Sequence, residues 1–174
     1  MLNDTHQRYG LITRFFHWLV AILVIQQFFK FADYINDGEH WLGDTFGPYH
    51  TSIGALIMLL TVARLLWSKK QQSDRAVTEG LLGKIARNNH RIMYFCLLVM
   101  PPLGVLYIYG KGYPVKLFGM TLLDKPAGET AWMITLGELH GILALVLVLL
   151  VLAHLSGALY HHFIRRDDTL KRMV

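Results

Sequence analysis

Four long apolar runs, broken by short charged segments, organise this chain. They predict helices over about 12–32, 49–68, 90–109 and 138–164, because each approaches or exceeds the ~20 residues that cross a bilayer. A lipid-embedded backbone must satisfy its hydrogen bonds internally, so helices are the expected form. Lys30 lies near the end of the first run and Arg64 late in the second, whereas the fourth is free of Asp, Glu, Lys and Arg from Leu139 to Ile164. Pro101 and Pro102 in the third run predict a kink there, since proline removes a donor and crowds the preceding turn. The pattern predicts one all-α domain over residues 1–174, a four-transmembrane-helix bundle.

Charge orients the bundle. Arg8 and Arg14 precede the first run. Lys69, Lys70, Arg75, Lys84, Arg87 and Arg91 fall between the second and third, and Arg165, Arg166, Lys171 and Arg172 follow the fourth. The other two connections, about 32–48 and 110–138, carry Lys30, Lys111, Lys116 and Lys125 at or within their edges. They also hold Asp33, Asp37, Glu39, Asp44, Asp124, Glu129 and Glu138. The positive-inside rule then puts both termini in the cytoplasm. Juxtamembrane Lys and Arg account for the net charge of +5, so the basic balance does not call for a nucleic acid. The polar opening MLNDTHQRYG does not read as a cleavable signal peptide. Cys96 is the single cysteine, which excludes an intrachain disulfide. The sequence also lacks Cys-x-x-Cys-His, the motif for covalent c-type haem attachment.

The candidate chemistry lies in the histidines. His140 and His154 are fourteen residues apart within the fourth run. At 100° per residue their rings point within roughly 40° of each other, and they sit about 21 Å apart along the axis. Ionisable groups inside a span are costly and usually functional. The orientation matches His50 in depth with His140 on the outer side, and His17 with His154 on the inner side. Two imidazoles from different helices at one depth suit a bis-histidine haem, and a bundle interior is a natural place for it. Zinc would want four ligands at one depth, and single membrane histidines also serve as packing hydrogen bonders. Arg64 follows His50 by fourteen residues. It reaches the inner level, where it either pairs with haem propionates or snorkels to headgroups. His161, seven residues after His154, is a candidate contact to a propionate or a quinone headgroup, or else an interfacial residue ending the helix. His90 reads as interfacial rather than as a ligand. His6 and His40 carry no strong signal.

The runs RYGLITRFFHWLVAILV and PYHTSIGALIMLLTVARLLW, with the ending LHGILALVLVLLVLAHLSGALYHHFIRRDDTLKRMV, resemble the bacterial cytochrome b-561 family of four-helix dihaem membrane cytochromes. The resemblance implies two non-covalent b-type haems stacked across the bacterial inner (cytoplasmic) membrane. It implies His17 and His154 as iron ligands of the inner haem and His50 and His140 of the outer. It further implies electron exchange with membrane quinone, ubiquinone being the expected partner. Some members resemble superoxide oxidases, which oxidise superoxide at the periplasmic face. Two readings therefore stay open: a superoxide:quinone oxidoreductase, with Lys111 and Lys116 as candidates for anion entry, and a relay between a periplasmic redox protein and the quinone pool.

Overall fold

The computed structural model describes residues 1–31, 41–71 and 80–174. Asp33, Asp37, Glu39, His40 and Arg75 lie outside the described residues. The elements in chain order are α1 (Leu11–Phe28), α2 (Trp41–Phe46), a 3-10 turn (Gly47–Tyr49), α3 (His50–Lys70) and α4 (Gly80–Gly110). They continue with β1 (Val115–Leu117), β2 (Met120–Leu123), α5 (Ala131–Gly137), α6 (Leu139–Tyr160) and a π-turn (His161–Arg165). The four long apolar stretches are those expected, and their outward faces are apolar. Phe15, Trp18, Ile22 and Ile25 of α1 and Ile142, Leu145, Leu149, Leu152 and Leu155 of α6 are all exposed. Continuous exposed stripes of this kind mark a lipid-facing surface rather than a water-facing one. The chain is a multi-pass membrane protein.

α1 packs on α3, α3 on α4, and α4 on α6. Their common core is Val20, Val24, Ile57, Cys96, Leu97 and Leu147. A regular interval sets this layer. Val24 follows His17 by seven residues, and Ile57 lies midway between His50 and Arg64. Leu97 lies midway between His90 and Gly104, and Leu147 midway between His140 and His154. Seven residues are close to two helical turns. Each helix therefore presents one stripe inward, apolar at the middle and chemically distinctive at one or both levels.

One expectation changes. The third helix begins at Gly80, about ten residues before the predicted 90, so Lys84, Arg87, His90 and Arg91 are helical. Charge lowers the hydropathy of GLLGKIARNNHR without lowering its helix propensity. Pro101 and Pro102 both lie inside this helix.

The connection after α4 holds a hairpin that short apolar runs alone do not reveal. β1 and β2 pair antiparallel, and Leu117 faces Met120 across a two-residue turn. Phe118 (φ 50°) and Gly119 (φ 84°) both take positive φ, as a primed hairpin turn requires. Phe118 pays strain to do so. Its N–H donates to Ser52 Oγ at 2.8 Å, which pins the hairpin beside the start of α3. At the opposite end of the bundle the first and last residues meet. Arg8 and Arg14 donate to the Val174 oxygen at 2.6 and 2.7 Å, and Trp18 Nε1 to the Met173 carbonyl at 3.0 Å. Buried Asp4 accepts from the Gly10 N–H at 2.8 Å and the Thr13 hydroxyl at 2.6 Å. The bundle thus has a hairpin end and a tail end.

Candidate functional site

His50 opens α3 directly after the Gly-Pro-Tyr turn, and His140 is the second residue of α6. Their ring centroids are 5.9 Å apart with planes at 67°. The Met100 carbonyl accepts from His140 Nδ1 at 2.9 Å. A carbonyl only accepts, so Nδ1 carries the proton and Nε2 keeps its lone pair. Gly104 makes this approach possible: a Cβ there would lie 3.0 Å from His140 Nδ1 and 3.1 Å from Cε1. Nearby, Lys30 Nζ would be 3.3 Å from a Cβ on Gly47, and its charge acts on His50.

At the tail end the His17 and His154 ring centroids are 6.1 Å apart with planes at 62°. Arg64 donates to His17 Nδ1 at 2.9 Å and lies 5.5 Å over the Tyr94 ring. His90 joins this cluster, with its ring 4.9 Å from that of His154 and its Nδ1–H donated to the Ala86 carbonyl at 2.7 Å. Reading His90 as interfacial missed this. The usable signal was its fourteen-residue interval to Gly104, the same interval that separates His140 from His154.

The remaining candidates are scattered. Lys111 Nζ lies 6.0 Å over the Tyr107 ring, and Lys116 is exposed on β1. Lys30, whose Nζ lies against the Gly47 turn that precedes His50, is a further cation at this end. His161 opens the π-turn, where its Nδ1–H donates to Asp167 Oδ2 at 2.6 Å. Hydrogen bonds from the Thr169 side chain and from His161 hold the Asp167 carboxyl below the usual carboxylate range, so it stays ionised at physiological pH. His162 instead lies against Phe163, with ring centroids 4.8 Å apart.

The residues at both levels fit b haem. Two metal–nitrogen bonds of about 2 Å, with each ring centre roughly 1 Å behind its nitrogen, place centroids about 6 Å apart, and the two pairs stand at 5.9 and 6.1 Å. Two neutral imidazoles are a suitable axial set for such an iron. Among the described residues, no three His, Cys, Asp or Glu side chains converge on one point that could hold a metal ion.

Comparison with known proteins extends the picture. Residues 8–174 match the family described as prokaryotic cytochrome b561. The chain is 34% identical to "Cytochrome b561 homolog 2" of Escherichia coli (strain K12) over 99% of its own length and 94% of the relative's. It is 25% identical to "Probable superoxide oxidase CybB" of Yersinia pestis, over 97% of each chain. It is 30% identical to "Cytochrome b561 homolog 1" of Escherichia coli (strain K12), over 72% of each.

Proposed function

The chain belongs to the prokaryotic cytochrome b561 family, electron-transfer membrane cytochromes with b-type haem, and on that premise we propose that it binds two such haems. His50 and His140 hold one at the hairpin end; His17 and His154 hold the other at the tail end. The observation that carries this reading is the pair of ring–ring separations, 5.9 and 6.1 Å, on stripes separated by the Val24, Ile57, Leu97 and Leu147 layer. Bound there, b haem supplies a reversible one-electron couple.

The residues around each level divide the other tasks. The Met100 carbonyl holds His140 with Nε2 available. Arg64 supplies a fixed positive charge at the tail end, suited to propionate carboxylates. The apolar layer of Val24, Ile57, Leu97 and Leu147 separates the two levels. The distribution of Lys and Arg supports an orientation with the tail end in the cytoplasm and the hairpin end in the periplasm. In this orientation electrons enter at the hairpin end from superoxide, releasing oxygen, and leave at the tail end to ubiquinone near His161. Lys30, beside His50, adds an anion-attracting charge to the Lys111 and Lys116 pair.

A second reading, relay from a periplasmic redox protein, draws on the exposed acidic side chains Asp44, Asp124, Glu129 and Glu138 at the hairpin end, which suit a basic partner. Purified, haem-replete protein in detergent decides between them. The superoxide reading expects two haems per chain and haem reduction by superoxide pulses faster than solution dismutation. Reduction no faster than dismutation refutes the superoxide step and leaves the relay. A haem content near zero after haem-replete expression refutes both.

A further inference from the structure

The turn after α6 is more elaborate than a helix end needs to be. Its π-turn closes at Arg166, whose φ of 54° places it in the left-handed region. That reversal brings the next residue back onto the helix end, where the Asp167 N–H donates to the His161 carbonyl at 3.2 Å. The Asp167 side chain then accepts the His161 Nδ1–H at 2.6 Å, and the Thr169 N–H donates to its other oxygen at 3.0 Å. The Thr169 hydroxyl lies 3.4 Å from the same Nδ1. One residue is thus tied to both the backbone and the ring of His161. The neighbouring Asp168 pairs with Lys171 at 3.0 Å and does not compete for the ring.

Burial gives the dyad a direction. The His161 side chain is 18% exposed and that of Asp167 37%, so the ring is the inner partner and the carboxylate the outer. With Nδ1 committed to Asp167, the ring presents Nε2 as its free proton-handling atom. The Tyr160 ring also faces it, with centroids 5.9 Å apart at 90°. His161 is seven residues beyond His154, about 10 Å along the axis, which is the distance of a group placed between one redox level and the aqueous edge.

We propose that Asp167 is a positioning residue that holds His161 as the proton donor to a quinone oxygen at the tail end. The inference rests on the quinone reading above and adds to it the source of the protons. Reduction of a quinone to its quinol takes two electrons and two protons. The electrons arrive one at a time from the His17–His154 level, supplied at the hairpin end by a one-electron donor such as superoxide. In each protonation the Nε2–H bond of a His161 imidazolium breaks and a quinone O–H bond forms. The neutral ring keeps Nδ1–H on Asp167, and water at the tail end returns a proton to Nε2. Asp167 fixes the ring by its hydrogen bond and keeps Nε2 turned away from it.

The test is single-turnover reoxidation of dithionite-reduced, haem-replete full-length protein by ubiquinone-1, followed by haem absorbance from pH 5.5 to 9. In the native protein the rate falls as pH rises, because the donor loses its proton. Asp167→Asn replaces the carboxylate that accepts the Nδ1–H with an amide, so the ring is no longer held for transfer. The rate at pH 7.5 drops about tenfold or more, while the ubiquinone-1 concentration for half-maximal rate is unchanged. Asp167→Glu restores much of the native profile, and Asp168→Asn leaves it native. His161→Gln flattens the profile. Haem content and thermal melting of each variant separate a misfolded chain from a slow one, and if Asp167→Asn loses haem, Asp167→Ser is read instead. A native profile in Asp167→Asn alongside an altered one in His161→Gln overturns the dyad and leaves the quinone site standing. Native rates and native half-maximal concentrations in both variants overturn the quinone site at this end, and the dyad with it.

Discussion

The two histidine levels share an interval but differ in what surrounds them. At the hairpin end, His140 is set by the backbone: the Met100 carbonyl takes its Nδ1 proton, and Gly104 supplies the space. At the tail end, His17 is set by a charged side chain, because Arg64 donates to its Nδ1. Arg64 can only donate, so the second contact of His17 is a fixed charge, whereas that of His140 is a neutral carbonyl. One fourteen-residue register thus yields two levels with different electrostatic surroundings. The tail end gains a charge, and an additional imidazole from His90, that can tune a redox couple.

The largest effects should come from the paired imidazoles. Alanine at His17, His50, His140 or His154 should each cut haem content from about two to about one per chain, read by pyridine haemochrome against protein. His90→Ala should leave both haems bound, and its loss of one would extend the tail-end ligand set. Next, Gly104→Val should displace His140 and deplete only the hairpin-end haem. Overpacking of this kind costs about 1–3 kcal/mol. Equal loss at both levels would show that Gly104 supports the bundle rather than one ring.

Arg64→Leu should retain both haems and lower one midpoint potential in a redox titration, because a nearby positive charge favours the reduced form. A shift on the order of 100 mV follows from a unit charge several ångströms away in a medium of intermediate dielectric. Arg64→Lys should recover part of it, keeping the charge but losing the planar fork. If both midpoints hold, Arg64 is a headgroup anchor instead. Ser52→Ala should have the smallest effect, loosening the hairpin by about 1 kcal/mol, seen as faster amide exchange at Phe118 with haem content unchanged.

The sequence carried much of this because the governing signals are periodic. Apolar runs of bilayer length located the four long helices, and the fourteen-residue intervals marked His140 with His154 and His50 with Arg64. Local masking hid other parts. His90 sits among Arg87, Asn88, Asn89 and Arg91, where polarity reads as an interface although the residue turns toward His154. The hairpin strands are three and four residues long, too short for alternation to stand out. The His140–Met100 bond joins residues forty apart and depends on how α6 lies against α4, which no single-helix pattern states. Lys30 resembles a helix-end charge in sequence, and only the return of the chain through Gly47 places it beside His50.

The central claim is that the four imidazoles form two independent pairs, and haem content in double variants tests it most directly. His17→Ala combined with His154→Ala should retain about one haem, no fewer than either single variant, and His50→Ala combined with His140→Ala should do the same. His17→Ala combined with His140→Ala should retain none. If a double variant within one pair loses both haems, or the crossed variant keeps one, the two-level account is contradicted.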